Sequence, residues 1–389
     1  MRILLFVAAC MICLSASAQQ KQSEKWYDKI HVGGYMQVRY NKLFETNPEL
    51  GCEQCDEFWG AKGGGLSLRR LRLKFYGQIS PRIYIYIQPD FAKSVGESIH
   101  VGRVKDAYVD IGLDKHNEYR IRIGQSKVPF GFENMQSSSH RLPLDRNDAL
   151  NSGVKDERDM GVFFYWASQE KRALMKALKP YKHSGDFGVF ALGIYNGQTA
   201  NHPDLNNAFH VVTRFSYPIV LGQQVIEPGI QAYTGQFVLP EHSPDVKANS
   251  NLSYIDQRLA ASFVLYPKPF GIQAEYTIGR GPEFDKPTGS IGVKDLQGGY
   301  VTFSYARTGG EAALIPFTRL QYYDGGKKHE LDARSYTVKE CEIGVEIHPV
   351  EHIELVTVYT LSDRRYEDYE HPDNHQAGGL MRIQAQLQF

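Results

Sequence analysis

Basic residues at every second position are the first feature of this sequence with chemical consequences. Arg70, Arg72 and Lys74 alternate with Leu71, Leu73 and Phe75, and Arg120 and Arg122 alternate with isoleucines. Cations spaced in this way make and break no bonds. They attract anions over about a Debye length, ~8 Å at physiological salt. Neighbours on one strand face sit about 7 Å apart, so their repulsion is ~0.6 kcal/mol in water and a few-fold more at a protein surface. Side-chain carboxylates or passing anions must balance it. A candidate counterpart is the acidic row Glu340, Glu342 and Glu346, which alternates with Cys341, Ile343, Val345 and Ile347, together with Glu275. Covalent catalysis would need a nucleophile beside a base. The chain has no Gly-x-Ser-x-Gly, and His210 and His348 stand isolated, so no enzyme activity is expected. Cys52 and Cys55 form a lone Cys-x-x-Cys, weak evidence for zinc without a second pair and better read as a small loop disulfide in an oxidising compartment. His371 and His375, among the acids of 363–373, read as a solvated loop. No metal or cofactor is expected.

The 389 residues carry zero formal net charge, which argues against nucleic acid as a partner. Arg2, the apolar run 3–14 and Ala16-Ser17-Ala18 form a secretory signal peptide, 1–18, cut before Gln19. A lipid box ending at Cys10 would leave too short an apolar core. Beyond Leu14 no run approaches the ~18 apolar residues of a membrane helix. Mean hydropathy of −0.40 suits a water-soluble protein, and equally a membrane barrel in which only alternate residues face lipid.

Those charges must be positioned by strands. In the stretch 30–41, Ile30, Val32, Met36, Val38 and Tyr40 share one face while Tyr35, Gln37, Arg39 and Asn41 share the other, the period of a half-apolar strand. Similar alternation recurs along 19–389 and predicts an all-β, transmembrane antiparallel barrel of about sixteen strands. Turning the strand at 70–76 over would put three cations into lipid, at ~2–4 kcal/mol each near the midplane. Its basic face must look at water. Registers near 186, 315 and 353 are ambiguous. Long polar loops are expected at 44–65, 241–251, 282–294 and 363–378 on the outer side, with short turns on the inner side; the lysine-rich 168–183 is a long exception. Pro89 marks a strand's rim. The terminal alternation ending in Phe389 looks like the signal read by the barrel assembly machinery. A soluble exported glycan-binding sandwich would leave that ending and the strand count unexplained.

Gly124-Gln125-Ser-Lys127-Val-Pro129-Phe130-Gly131, with the upstream Val104-Lys105-Asp106-Ala107-Tyr108-Val109-Asp110 and the downstream Glu157-Arg158-Asp159-Met160-Gly161, resembles the phosphate-selective porin O and P family. The resemblance implies a sixteen-stranded homotrimeric channel in the outer membrane of a Gram-negative bacterium, with its third external loop, here 129–158, folded into the pore. It implies a lumenal cation ladder of Arg70, Arg72, Lys74, Arg120 and Arg122, with Lys127 above them and Arg141 and Arg146 in the constriction loop. Small hydrophilic solutes, anions such as phosphate, would be its partners, besides outer-membrane lipids. Glu275, Glu340, Glu342 and Glu346 depart from a purely basic lumen and leave an unselective general porin as the alternative.

Overall fold

The alternation closes on itself. The structure, a computed structural model, describes residues 25–45, 64–95, 98–306 and 313–389. Its strands are β1 (His31–Glu45), β2 (Gly64–Ser80), β3 (Ile83–Val95), β4 (Ser98–Gly112), β5 (Tyr119–Lys127), β6 (Arg158–Trp166), β7 (Phe190–Tyr195), β8 (His210–Ser216), β9 (Ile219–Leu221), β10 (Gln224–Val238), β11 (Ser253–Leu265), β12 (Phe270–Asp285), β13 (Ser290–Tyr305), β14 (Ala313–Gly326), β15 (Ser335–Val350), β16 (Ile353–Glu367) and β17 (His375–Gln388). β8 and β9 both pair with β10 and are two halves of one stave, so the wall has sixteen positions in simple meander order. β1 pairs antiparallel with both β2 and β17, which closes the sheet. Phe389 completes the seam: its amide donates to the Gly34 carbonyl at 3.1 Å, and the Gly34 amide donates back at 2.7 Å. Closure leaves no sheet edge, which a lipid environment requires because nothing there can satisfy free backbone groups.

The two faces divide as the period-two pattern demands. Outward positions carry exposed apolar side chains such as Val32, Ile87, Ile123, Leu192 and Leu259, whereas Gln37, Arg39, Arg70, Arg72, Arg122, Arg258, Arg319 and Arg382 are buried in the interior. Leu71 and Leu73 lie on the outward face of β2, between inward Arg70, Arg72 and Lys74. Bulges modify the pattern at several places, and two of them bring in cations. Register shifts between Gln37 and Val38 and between Gln88 and Pro89 admit an extra residue, Arg69 on β2 and Lys105 on β4, and both turn inward. A bulge re-aims side chains in this way.

Several expected boundaries are corrected. The segment 282–294 is mostly strand, since β12 and β13 pair from Gly281↔Lys294 to Asp285↔Ser290 and leave a turn of four residues. Likewise β16 and β17 stay paired to Arg365↔His375, so the connection within 363–378 is short. The polar composition there is that of strands standing in water above the apolar band, not of loops. β7 begins at Phe190, not near 186, because Gly185 and Gly188 adopt positive φ of 117° and 72° and break the extended run. Cys52, Cys55 and the segment 1–18 lie outside the described residues; Cys341 is free. Replacing Leu71 and Leu73 together with Arg should abolish heat-modifiable barrel in membrane fractions, because each charge would face lipid at a cost of ~2–4 kcal/mol near the midplane. Normal assembly of that variant would contradict the assigned faces.

Candidate functional site: the lumen and its inward loop

Two connections enter the barrel from opposite mouths. The longer, 128–157, leaves β5 through Gly131, whose φ of 81° is ready only for glycine and whose added Cβ would lie 2.4 Å from the Leu150 side chain. It then crosses the lumen. The Gln37 amide donates to the Ser138 carbonyl at 3.1 Å, Arg382 reaches Asp145 at 2.7 Å, Arg319 reaches Glu133 at 3.1 Å, and Arg258 donates to the Ala149 carbonyl at 2.9 Å. Apolar side chains secure it. Val128, Phe130, Leu150 and Val154 pack on inward Phe163, Tyr195 and Val212, and Leu142 and Leu144 pack on inward Ile315, Phe317, Val356 and Val358. From the end bearing the termini, the connection after β6 forms a helix, Gln169–Ala177, capped by the Ser168 hydroxyl. Its continuation brings Leu178 against Phe132 of the long loop, and the Gln136 amide donates to the Lys182 carbonyl at 2.5 Å.

These two segments occupy the side of the lumen facing the later strands, and the acidic row lies beneath them. Glu275 accepts from the backbone amides of Phe132 and Glu133, the latter at 2.9 Å, and from the Tyr300 hydroxyl at 2.8 Å. Glu340 accepts from Gln321 and Ser362. Glu342 pairs with Arg319 at 2.6 Å and Arg382 at 2.8 Å. Glu346 pairs with Lys182 and with His348. Glu346, His348 and Glu354 bring three ligand-type groups together, but the Lys182 ammonium already neutralises Glu346. All four sequence-expected acids therefore point inward, yet each is engaged in structure and none lines the open cavities beside β2–β4.

The basic residues are distributed along that open side. Arg72 donates to Asp90 at 2.7 Å and to the Tyr35 hydroxyl at 2.8 Å; Arg122 grips Asp110 with two bonds of 2.7 and 2.8 Å; Arg120 reaches Asp186 at 2.7 Å. Arg70 donates to Gln37 at 2.7 Å. Lys74 has no ion-pair partner among the described residues and lies 5.0 Å from the Tyr35 ring centre. Lys127 clasps the loop, donating to the carbonyls of Asn134 and Gln136 at 2.9 and 2.5 Å. Two loop carboxylates gather the rest. Asp145 lies within 4 Å of Arg39, Arg69, Arg70 and Arg382; Glu157 lies as close to Lys127, Arg141, Arg146 and Arg158. Burial pushes the Glu157 carboxyl up, but Lys127, Arg141, Arg158 and Arg146 outweigh it and hold it well below the usual carboxylate range. Arg39, Arg69, Arg382 and Arg70 do the same for Asp145 against its own burial. Burial, with Lys182, Lys179 and Lys74 nearby, lowers His140 to about 3, so this imidazole is neutral at physiological pH.

Sequence reasoning did not pick out Arg39, Arg69, Lys105, Asp145, Glu157 or Arg158 as site residues. Arg39, on the polar face of β1, was within reach of the alternation, and Lys105, Glu157 and Arg158 fall inside motifs already singled out. Arg69 and Lys105 sit at bulges, where strict alternation points them outward.

A closed sixteen-position barrel with a charged, water-lined interior and an inward loop is an outer-membrane diffusion channel for small solutes, not an enzyme. The chain belongs to the family of phosphate-selective porin O and P, whose model matches residues 47–389. No curated protein matches it. Among solved structures it is similar to the outer membrane channel DcaP of Acinetobacter baumannii (14% identity, 92% of this chain and 97% of that one, TM-score 0.58). It is also similar to the trimer form of OmpT of Vibrio cholerae (12%, 93% and 100%, 0.53) and to an anion-selective porin from Comamonas acidovorans (10%, 92% and 99%, 0.53). These likenesses share the fold.

Two measurements follow from the loop's anchors. Glu275→Ala should unmoor the segment around Phe132–Met135, since stranded buried donors cost ~1–3 kcal/mol each; single-channel records should show noisier current with larger open levels, and quiet wild-type records would oppose this anchoring. The depressed carboxyls of Glu157 and Asp145 contribute stability that is present above their unfolded values and lost only as pH falls through the folded ones. Neither carboxylate should therefore contribute a step in conductance or reversal potential between pH 7 and about 4.5. A step in that range that Glu157→Gln or Asp145→Asn removes would contradict this.

Proposed function

We propose that this outer-membrane channel prefers anions, with phosphate among the solutes it admits. One observation carries the reading. Above the constriction lies a cavity of about 90 Å³ whose lining brings ten lysine and arginine side chains, among them Arg69, Arg70, Arg72, Lys105, Arg141 and Arg158, against four carboxylates, Asp145, Asp156, Glu157 and Glu330. Arg158 also borders the cavity below, of about 730 Å³, so positive charge spans the route on both sides of the loop. A passage in which one sign of charge predominates between low-dielectric walls concentrates the opposite ion. Engagement of Glu275, Glu340, Glu342 and Glu346 removes the acidic wall that would have offset it. The family's description and the anion-selective porin from Comamonas acidovorans agree with this preference. The same reading includes a homotrimer, as in the trimer form of OmpT, export through a signal peptide at 1–18, and Phe389 as the residue recognised by the assembly machinery in the outer-membrane lipid bilayer.

The test is the reversal potential of purified protein in planar bilayers across a potassium chloride gradient. Wild type should favour chloride, and the preference should fade at high ionic strength as the Debye length shrinks towards ~3 Å near 1 M. Lys93→Gln with Lys155→Gln, which removes two cations from the cavity wall, should lower the chloride-to-potassium permeability ratio by roughly a factor of two. Phosphate should reduce chloride current. A reversal potential of zero in the wild type means an unselective pore.

A further inference from the structure

The wall below the constriction carries a row of rings that a simple inorganic anion would not use. His31, Tyr76, Tyr86 and Tyr108 occupy paired positions on β1, β2, β3 and β4. Their ring centres are 5.6, 6.2 and 5.3 Å apart in turn, and the last pair is stacked with planes 13° apart. On β5 the row ends under a cation, with the Arg122 guanidinium 3.8 Å from the Tyr108 ring centre. All of them, with Lys74, line the 730 Å³ cavity on the periplasmic side of the loop.

That size is within the ~300–1,000 Å³ of sites that enclose a small organic molecule. Inward side chains stand roughly perpendicular to the sheet, so rings set side by side turn their faces to each other and present edges and hydroxyls to the lumen. Tyr76, Tyr86 and Tyr108 are accordingly half-buried. Ring edges carry partial positive charge and attract the π face of another ring in a T-shaped contact. Lys74, which has no ion-pair partner among the described residues, adds a positive charge beside them, while the Arg122 charge is already shared with Asp110. A bare phosphate or chloride would meet the cations but gain little from carbon edges in exchange for its hydration water. A flat solute bearing a carboxylate satisfies both elements at once.

We propose that the solute selected by this channel is a ring-bearing organic anion, an aromatic carboxylate or a similarly flat acid. Its ring rests on the tyrosine row and its charge meets Lys74. This rests on the anion-preferring reading and adds the solute's body to its charge. In planar bilayers, benzene-1,3-dicarboxylate and glutarate are compared as blockers of chloride current, since they match in charge and in the carbon spacing between carboxylates. The aromatic acid should block wild type at about tenfold lower concentration. Tyr76→Leu with Tyr86→Leu should bring that ratio towards one, whereas Tyr76→Phe with Tyr86→Phe should retain most of it. Heat-modifiable mobility confirms that each variant is a folded barrel, and the ratio cancels any change in conductance common to both acids. Equal block by the two acids in a wild-type pore that still favours chloride overturns this proposal and leaves the anion preference standing. A wild-type pore without anion preference fails at the earlier step.

Discussion

Two carboxylates hold together what would otherwise fly apart. Asp145 and Glu157 each lie within 4 Å of four cations, and both belong to the loop that crosses the lumen. Cations gathered round one carboxylate lie at most about 9 Å from one another, where each pair repels by about 2 kcal/mol at an effective dielectric near 20. Each loop carboxylate offsets part of this repulsion, and Glu342 beside Arg382 and Asp106 beside Arg158 offset more. The position of the loop, the height of the constriction and the residual positive potential therefore have a common origin. Removing the loop would expose a wall of arginines whose natural partners had left with it.

The charge balance also explains why the barrel is lopsided. Loop 128–157 from one mouth and 167–189 from the other meet at Phe132, Gln136, Leu178 and Lys182, filling the side that carries Glu275, Glu340, Glu342 and Glu346. Those acids receive amides, hydroxyls and cations from the filling segments and from neighbouring strands. On the other side, β2 to β5 set Lys74 and the aspartate-paired Arg72, Arg120 and Arg122 in the walls of the open cavities, together with the tyrosine row. An acidic row and a basic row on facing walls, read one strand at a time, imply a balanced pore. In the folded molecule one row serves as an anchor and the other lines the passage.

The lipid-facing half of the protein could be read from sequence almost residue by residue. A charge pointing into hydrocarbon is expensive wherever it falls, so Leu71, Leu73 and Phe75 opposite Arg70, Arg72 and Lys74 define a face with no tertiary information. The terminal strand is equally plain, with Leu387 and Phe389 outward and Gln384 and Gln386 inward. Strand length was less legible. Residues 281–285 and 290–294 continue pairing beyond the apolar band, where alternation of hydrophobicity no longer marks a strand.

What only the tertiary structure decided is the inside. The strands near 186, 315 and 353 have no clear alternation because their inward positions, Ala191 and Tyr195, Ile315 and Phe317, Val356 and Val358, are apolar like their outward ones. They are apolar because Phe130, Leu142, Leu144, Leu150 and Val154, far away in sequence, lie on them. The bulges that admit Arg69 and Lys105 depend on pairing between strands, which no single strand displays. Outer faces obey one uniform solvent and are written locally; inner faces answer to whichever segment of the same chain folds against them.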